Sequence, residues 1–248
     1  MNHLGVIPAR YQSSRFPGKP LAEIHGKPMI QRVYEQALKS DALSKVLVAT
    51  DDERIEQCVK AFGGEVIMTS ADHPSGTDRC LEALEKTEED YEVLINIQGD
   101  EPYIKAEQID LISSCFHNQR TEIATLIKLI DDPAVLDDPN KVKVVLDDAD
   151  HGIYFSRQCI PYLQNVAKSD RIDHFNFYKH IGMYAYRTET LKEITALKPS
   201  RLERAESLEQ LRWIENGYKI RTAITNEEAL SVDTPEDLAK LNQMKMED

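Results

Sequence analysis

The chain has 248 residues and a formal net charge of −13 at pH 7, with 41 % hydrophobic and 29 % charged residues. This composition is ordinary for a globular protein, and the length predicts one large domain or one domain with an inserted subdomain. A pI near 5.0 argues against wrapping nucleic acid or lying on an anionic membrane. Because the N terminus lacks a signal-peptide pattern and no apolar run approaches about 18 residues, we expect a cytoplasmic protein without membrane insertion.

The four cysteines are widely separated in sequence and form no Cys-x-x-Cys pair. Three of them lie within apolar patterns. This usage predicts reduced, buried thiols rather than a disulfide framework or a zinc site. The cysteines are Cys58, Cys80, Cys115 and Cys159.

A short apolar strand, His3 to Ile7, opens the chain, and Pro8 is expected to end it. The loop that follows is basic, because residues 1–32 carry five basic residues and one acid. Arginine presents a planar fork to phosphate oxygens, lysine presents a compact charge, and Gly18 lets the backbone approach a ligand closely. The pattern therefore predicts binding of a polyanion such as a triphosphate, with a solvated basic loop as the alternative. The basic residues are Arg10, Arg15, Lys19, Lys27 and Arg32.

Strands and helices alternate in the first half of the chain. This order predicts a mostly parallel sheet with helices on both faces. Ligands of such sheets bind at the carboxyl ends of the strands, where the loops at 8–20, 72–79 and 98–102 fall. The predicted strands after the first are 45–49, 65–68 and 91–97, and the predicted helices are 28–38, 53–62 and 78–86.

The pattern changes near residue 121, where strands follow one another through acidic, proline-containing turns rather than helices. We expect an antiparallel segment over about 121–186 that offers a surface for self-association. Residues 164–179 are polar and are predicted to form an irregular, mobile loop. The other predicted elements are strands 122–130, 142–146, 153–155, 181–186 and 219–224, helices 188–197 and 203–216, and a closing helix that starts at Thr234.

Two acidic residues could hold a metal ion. Asp100 follows the buried strand that ends at Ile97, so it faces the crevice in which a carboxylate can bind magnesium beside substrate phosphates. Asp233 lies directly before the closing helix. Taken separately, Asp100 could be a turn residue and Asp233 a helix-entry residue. Taken together with the basic loop, they predict one site for a triphosphate and its metal.

The loop from His73 to Arg79 is rich in small residues and enters a helix. Ser75, Gly76 and Thr77 would expose amides and hydroxyls suited to reading a base or ribose, although a helix cap by Ser75 or Thr77 explains the pattern equally well. The stretch 50–53, Thr-Asp-Asp-Glu, could pass for the Asp-x-Asp of a glycosyltransferase, but helix capping explains it better.

Polar residues in the second half are scattered: Arg157, His180, Tyr184, Glu209 and Gln210. The residue pattern alone leaves each of them with a structural role. Residue-level reasoning therefore indicates an enzyme that uses a nucleoside triphosphate and magnesium, and it leaves the acceptor undefined.

The motifs together resemble those of the 3-deoxy-D-manno-octulosonate cytidylyltransferases, also called CMP-Kdo synthetases. The matching pieces run from one end of the chain to the other, and the first is shared with CMP-sialic acid synthetases. The pieces are Ile7-Pro8-Ala9-Arg10, Ser13-Ser14-Arg15, Pro17-Gly18-Lys19-Pro20-Leu21, Ala49-Thr50-Asp51-Asp52, Met68-Thr69-Ser70, Ser75-Gly76-Thr77-Asp78-Arg79, Asn96-Ile97-Gln98-Gly99-Asp100-Glu101-Pro102, Tyr154-Phe155-Ser156-Arg157, Ile160-Pro161, Lys179-His180-Ile181-Gly182-Met183-Tyr184, Leu208-Glu209-Gln210-Leu211-Arg212 and Val232-Asp233-Thr234-Pro235-Glu236-Asp237.

This resemblance implies a Rossmann-like nucleotidyltransferase fold in a single domain, residues 1–248, whose segment 121–186 contributes to the sugar site and a homodimer interface. The implied reaction joins CMP from CTP to the 2-hydroxyl of 3-deoxy-D-manno-octulosonate (Kdo) and releases pyrophosphate, for lipopolysaccharide biosynthesis. Mg²⁺ is the implied cofactor. By the same likeness, Pro8, Ala9, Arg10, Ser14, Arg15, Lys19, Ser75, Gly76, Thr77, Arg79 and Gln98 bind the nucleotide, Asp100 and Asp233 bind the metal, Arg157, His180, Tyr184, Glu209 and Gln210 bind the sugar, and Arg10, Lys19, Asp100 and Asp233 are catalytic.

Three alternatives stay open at this point. The acceptor could be a related acid sugar, such as 8-amino-Kdo or sialic acid. A glycosyltransferase of the GT-A type would need Asp-x-Asp after the central strand, where this chain has Gln98-Gly99-Asp100. A nucleotide-binding regulator without catalysis would bind CTP and release no pyrophosphate when Kdo is present.

Overall fold

A computed structural model describes residues 2–13, 15–228 and 230–244. These residues form two compact units. The first contains the described residues up to 110 together with 230–244, and the second contains 111–228. Within the described part of the chain, no helix is long and apolar enough to cross a membrane.

The first unit is built on four parallel strands in the order β6-β1-β4-β5, with α1, α2 and α3 packed against them. The strands are near-continuous apolar runs, such as 46–49 and 93–95, and those residues are buried. This is the pattern expected of a parallel sheet covered on its faces. The elements are β1 (His3–Ala9), β2 (Glu23–Ile24), β3 (Lys27–Pro28), α1 (Met29–Ala37), β4 (Lys45–Thr50), α2 (Glu53–Ala61), β5 (Val66–Met68), α3 (Gly76–Glu85), β6 (Val93–Asn96) and, reaching the start of the second unit, α4 (Ala106–Ser114).

The expectation that Pro8 ends the first strand is wrong. β1 continues to Ala9, and Pro8 pairs with Ala49 of β4. The Ile97 N–H donates to the carbonyl of Val6, so the backbone polar groups of Val6 point towards β6. Those of Pro8, two residues later, point to the same side, but the last pair between β1 and β6 is Val6 with Asn96. A proline is tolerated there because the ladder needs no amide donor from it.

The second unit carries the antiparallel pairing that the sequence predicts. β10 runs antiparallel to β7 and β8, β9 runs antiparallel to β8, and β11 runs parallel to β7. With the parallel sheet of the first unit, this confirms the predicted α/β class. The elements are β7 (Ile123–Leu129), α5 (Pro133–Leu136), β8 (Lys143–Leu146), β9 (Gly152–Ser156), α6 (Arg171–His174), β10 (Tyr178–Arg187), α7 (Thr188–Thr195), α8 (Arg201–Glu206), α9 (Gln210–Glu215) and β11 (Ile220–Ile224), after which α10 (Pro235–Gln243) belongs to the first unit.

Three details of the second half differ from the sequence-based expectation. The helix predicted at 203–216 is two helices, because Ser207 adopts a left-handed conformation (φ 52°) that ends α8. The predicted loop 164–179 contains α6, and β10 begins at Tyr178 rather than Ile181. One helical turn, α5, interrupts the predicted run of strands and turns.

All four cysteines are free thiols. Cys80 is buried and the other three are half-buried, so the prediction of reduced thiols is confirmed and the prediction of full burial holds for one of them. The single-domain organisation stays a prediction.

Candidate nucleotide and sugar sites

A cleft of about 210 Å³ lies at the carboxyl end of β1 in the first unit. It brings together the basic loop, the turn after β6 and the entry to α10. Most of its lining was predicted, although Ser13, Pro20 and Gly99 were not assigned a role from the sequence. The lining residues are Pro8, Ala9, Arg10, Ser13, Arg15, Lys19, Pro20, Gln98, Gly99, Asp100 and Asp233. The predicted nucleotide ligand Ser14 lies outside the described residues.

Two cations meet two carboxylates in this cleft. The Lys19 Nζ lies 2.7 Å from Oδ2 of Asp100 and 3.9 Å from Oδ1 of Asp233. The same Asp233 oxygen lies 3.0 Å from a terminal nitrogen of Arg15. The four side chains come from positions up to 218 residues apart in sequence, and the first unit gathers them at one strand end. The structure therefore brings together the charges that the sequence analysis assigned to one site.

Main-chain contacts hold Lys19 and Asp233 in place. The Val232 N–H donates to the carbonyl of Asp100 over 2.9 Å, and Nζ of Lys19 donates to the carbonyl of Val232 over 2.9 Å. Val232 is fully buried in a cluster with Met29 and others, and Phe16 of the basic loop packs against that cluster. Apolar packing thus fixes the segment that carries Asp233 beside the loop that carries Lys19.

The entry to α10 separates two interpretations of Asp233. The N-cap of α10 is Thr234, whose hydroxyl accepts the Asp237 N–H in a reciprocal capping box. The Asp233 amide donates to the Asp237 carboxylate, so the Asp233 carboxylate is left to contact Arg15 and Lys19. Helix capping therefore does not account for the Asp233 side chain.

A magnesium ion suits the oxygen donors of this cleft. Mg²⁺ is commonly held by one or two carboxylates together with substrate phosphates rather than by a cage of protein ligands. Asp100 and Asp233 supply such a pair, since oxygens of both lie within 3.9 Å of the same ammonium nitrogen. The described residues contain no group of three or more His, Cys, Asp or Glu side chains that could hold a metal.

Gly99 allows the turn after β6 to approach the end of β1. A Cβ at this position would lie 3.0 Å from the carbonyl oxygen of Pro8. We expect Gly99→Ala to push this turn outward, to lower the free energy of unfolding by about 1–3 kcal/mol and to weaken binding of the nucleotide that the motifs predict here. Urea unfolding and calorimetric titration with CTP check both effects. A variant with wild-type values in both measurements would contradict this account of the turn.

The small-residue loop before α3 has a capping role. Ser75 is the N-cap of α3, since its hydroxyl accepts the Asp78 N–H over 3.2 Å and donates to the Asp78 carboxylate over 2.6 Å. Thr77 is buried, and the Gly76 backbone lies beside Pro8. Of the two interpretations that the sequence left open, the structure establishes the cap by Ser75, and contact with a base stays a prediction.

Arg79 is buried in the first unit, and its predicted role in nucleotide binding stays a prediction. The residue is 4 % exposed, its guanidinium donates to the Thr69 hydroxyl over 2.5 Å, and it lies 3.4 Å from Asp51. These contacts join α3 to the loops after β4 and β5. Arg79 thus links these two loops to α3, and Asp52 caps α2 as the sequence suggested.

In the second unit, a bulge in β10 brings His180 and Tyr184 together. Residues four apart in a regular strand are separated by about 13 Å. The register of β10 against β7 shifts between Ile181 and Tyr184, and the two rings are 5.1 Å apart. Thr125, fully buried, holds the bulge, because its hydroxyl shares its one proton between the carbonyls of Met183, at 2.7 Å, and Ile181, at 3.2 Å, and contacts Nε2 of His180 over 2.9 Å. Sequence reasoning missed Thr125, and a glycine inside a predicted strand is the signal that could have indicated the bulge.

Burial lowers the pKa of His180 to about 3, from the ordinary histidine value of 6.5. Between pH 6.5 and about 3, His180 is therefore protonated in the unfolded chain and neutral in the folded chain. The free energy of unfolding consequently falls as the pH falls from 6.5 towards 3. We expect His180→Asn to reduce this slope by up to about 1.4 kcal/mol per pH unit. Urea unfolding between pH 5 and 7 measures the slope, and the exposed His117→Asn serves as the control. Equal slopes for wild type and His180→Asn would contradict a neutral, buried imidazole.

Glu209 and Gln210 add polar groups at the start of α9, with Glu209 near Tyr184 of β10. Burial raises the pKa of Tyr184 well above the ordinary tyrosine value of 10.0, and the nearby charge of Glu209 adds to the shift. The Gln210 Nε2 atom is buried and makes no hydrogen bond within the described residues. A buried amide donor without an acceptor is costly, and it is explained when a ligand supplies the acceptor.

Arg157 is held by main-chain carbonyls. Its guanidinium donates to the carbonyls of Glu206, Ser207 and Pro139 over 2.8, 3.4 and 3.0 Å. An arginine has five N–H donors, so these bonds leave two for a ligand. The structure thus brings His180 and Tyr184 together in β10 and links Arg157 to the end of α8, while the predicted sugar contacts stay predictions.

Comparison with known proteins places this geometry in a family. The family profile described as "Cytidylyltransferase" matches residues 4–220. The chain belongs to the cytidylyltransferase family. A relative from Parabacteroides distasonis, named 3-deoxy-manno-octulosonate cytidylyltransferase, is 57 % identical over 97 % of this chain and 96 % of its own length.

Two further comparisons extend the family assignment. A relative from Shewanella amazonensis, named 8-amino-3,8-dideoxy-manno-octulosonate cytidylyltransferase, is 47 % identical over the full length of both chains. The solved structure of a CMP:2-keto-3-deoxy-manno-octonic acid synthetase complexed with CTP has a TM-score of 0.91 and 44 % identity, and it covers 98 % of this chain and 97 % of that one. The cytidylyltransferase assignment therefore rests on sequence and fold together, and the resemblance drawn from the motifs is confirmed.

Proposed function

We propose that this enzyme is a 3-deoxy-manno-octulosonate cytidylyltransferase, which transfers CMP from CTP to the anomeric 2-hydroxyl of Kdo and releases pyrophosphate. The observation that carries the proposal is the convergence of Arg15 and Lys19 with Asp100 and Asp233 in one cleft. Such an arrangement suits a nucleoside triphosphate, whose negative charge needs cations while its metal needs carboxylates. The family and the 57 % identical relative agree with this reaction.

In the proposed complex, Arg10, Arg15 and Lys19 bind the phosphates, together with Ser14. Their positive charges stabilise the charge that grows on the leaving pyrophosphate as the α-phosphorus is attacked. Asp100 and Asp233 are the residues that would hold Mg²⁺, which would supply charge screening of the phosphates and acidify a bound hydroxyl.

The cleft and the start of α3 together provide the groups that we assign to the cytidine. Gln98 lines the cleft, and Ser75, Gly76 and Thr77 lie at the start of α3, where a Cβ at Gly76 would lie 3.4 Å from the Pro8 side chain. An amide side chain and exposed backbone groups can distinguish the edge of one base from another by hydrogen bonds. Arg79, later in the same motif, fixes the start of α3 through its contacts with Thr69 and Asp51.

We assign the acid sugar to polar groups of the second unit. Arg157 retains two N–H donors for the carboxylate of Kdo, and a planar guanidinium is the side chain best matched to a carboxylate. The buried donor of Gln210 and the hydroxyl of Tyr184 suit sugar hydroxyls, as do Glu209 and His180. A neutral His180 adds no second positive charge, so it favours hydroxyl groups over an anion.

A turnover assay with CTP, Mg²⁺ and one acid sugar at a time tests the proposal. Kdo, 8-amino-Kdo and sialic acid are compared by released pyrophosphate, and the highest kcat/KM is expected for Kdo. Preference for 8-amino-Kdo would assign the enzyme to the activity named for its Shewanella relative. CTP binding without pyrophosphate release for any acid would instead indicate a regulator.

We further propose a cytoplasmic homodimer that associates through the antiparallel segment. Ile153 of β9 is 53 % exposed, and we place this side chain in the proposed interface. Light scattering of the wild type and of Ile153→Lys tests this association.

A further inference from the structure

The carboxylate of Glu206, the last residue of α8, accepts hydrogen bonds from β9 and the residue after it. One oxygen accepts the Ser156 hydroxyl over 2.7 Å and the Tyr154 hydroxyl over 3.4 Å. The other oxygen accepts the Arg157 N–H over 3.0 Å. Both oxygens are therefore occupied, and all their donors come from one short segment of β9 and its end.

The backbone at the same point is bound by the Arg157 side chain. Its guanidinium donates to the carbonyls of Glu206 and Ser207, so one arginine binds the two residues at which α8 ends. Ser207 has a left-handed conformation, φ 52°, that most side chains avoid. Such a conformation persists where surrounding contacts hold it, and the Glu206 carboxylate and the Arg157 guanidinium supply contacts at Ser207 and directly before it.

The residues that follow this point are those assigned to the sugar. Glu209 is the N-cap of α9 and Gln210 is its first residue, two and three positions after Ser207. Gln210 is buried, and its amide nitrogen has no hydrogen-bond partner among the residues that the structure describes, so a small shift of α9 would misplace that donor. The direction in which the chain leaves α8 thus sets where Glu209 and Gln210 lie.

From these contacts we infer that Glu206 is a positioning residue for the acid sugar: by fixing β9 to the end of α8, it sets the location of Glu209 and Gln210. The inference rests on the proposed function for its substrate. It assigns Glu206 no contact with CTP, so its loss should act on one substrate and spare the other.

Glu206→Gln tests the inference while keeping the shape of the side chain. The new NH₂ group is a donor in the place of an oxygen that now accepts a hydrogen bond. The hydrogen bonds to one of the two Glu206 oxygens are therefore lost. We expect the KM for Kdo to rise about tenfold, the size expected when one hydrogen bond to a charged group is lost, with the KM for CTP unchanged. Glu193→Gln is the matched control, since the exposed Glu193 accepts a hydrogen bond from Tyr218 away from this junction.

Hydrogen exchange provides a readout that does not depend on the substrate. Amides of residues 207–211 are expected to exchange faster in Glu206→Gln than in wild type or in Glu193→Gln. A KM for Kdo equal to that of wild type, or equal rises in the KM for both substrates, would overturn the inference. If Glu206→Gln does not fold, Ser156→Ala removes one of the three donors and is expected to give the same pattern with a smaller change. If the wild-type enzyme does not use Kdo, the proposed function fails. The positioning role is then judged by hydrogen exchange alone, and equal exchange at residues 207–211 in Glu206→Gln and wild type would overturn it.

Discussion

Replacing Lys19 by alanine is expected to lower the rate of pyrophosphate release by about 10²-fold or more. The Lys19 ammonium is the cation that contacts both carboxylates of the cleft, and its side chain is only 18 % exposed. In the proposed reaction it faces the phosphates, where negative charge grows in the transition state. Steady-state kinetics with CTP, Mg²⁺ and Kdo measure the loss, which should appear mainly in kcat.

Lys27→Ala is the control for this substitution. Lys27 also lies in the basic first segment, but its ammonium pairs with Glu35 over 2.6 Å rather than with the acids of the cleft. We expect wild-type turnover from Lys27→Ala. An unchanged rate for Lys19→Ala would remove the basic loop from the mechanism, and equal losses for the two variants would indicate an effect of net charge alone.

The second large effect is expected from Asp233→Asn, which should abolish magnesium-dependent turnover and leave the fold intact. The substitution keeps the size of the side chain and removes the negative charge that contacts Arg15 and Lys19. A neutral amide is a much weaker ligand for Mg²⁺ than a carboxylate. Turnover over a magnesium titration, together with calorimetric titration of the metal in the presence of CTP, checks both parts of the expectation.

Asp237 provides a matched control in the same turn of the chain. Its carboxylate accepts the backbone N–H of Thr234 in the capping box, and its loss should cost about 1 kcal/mol of stability. We expect Asp237→Ala to unfold at lower urea concentration and to retain its response to magnesium. Normal turnover by Asp233→Asn would return that residue to a structural role.

The location of the first cleft could be predicted from the sequence because it follows from a local rule. Buried apolar runs predict parallel strands, and the residues directly after such strands lie at one edge of the sheet. Asp100 satisfies this rule through its place after β6. Asp233 does not directly follow a strand, so this rule does not predict its location. Its motif indicates a role in the site, and the packing of Val232 holds it at the cleft.

The errors arise where tertiary contacts override local pattern. Pro8 remains in β1 because the pairing of β1 with β6 has already ended at Val6, so no partner needs an amide donor at Pro8. The residues around Pro8 do not indicate where the pairing with β6 ends. The break at Ser207 interrupts a run with helical spacing and depends on contacts with Arg157 and Glu206. The burial of the Arg79 side chain likewise depends on contacts with Thr69 and Asp51 that the motif around it does not indicate, while its predicted contact with a nucleotide stays a prediction.

The bulge of β10 has a consequence for how related enzymes can diverge. One hydroxyl, that of Thr125 in β7, contacts the carbonyls of Ile181 and Met183 and the imidazole of His180, all in β10. The spacing of the His180 and Tyr184 rings is thereby insulated from insertions or deletions in the connection that precedes Tyr178. That connection is free to acquire new lengths and sequences during evolution without disturbing the pair of rings behind it.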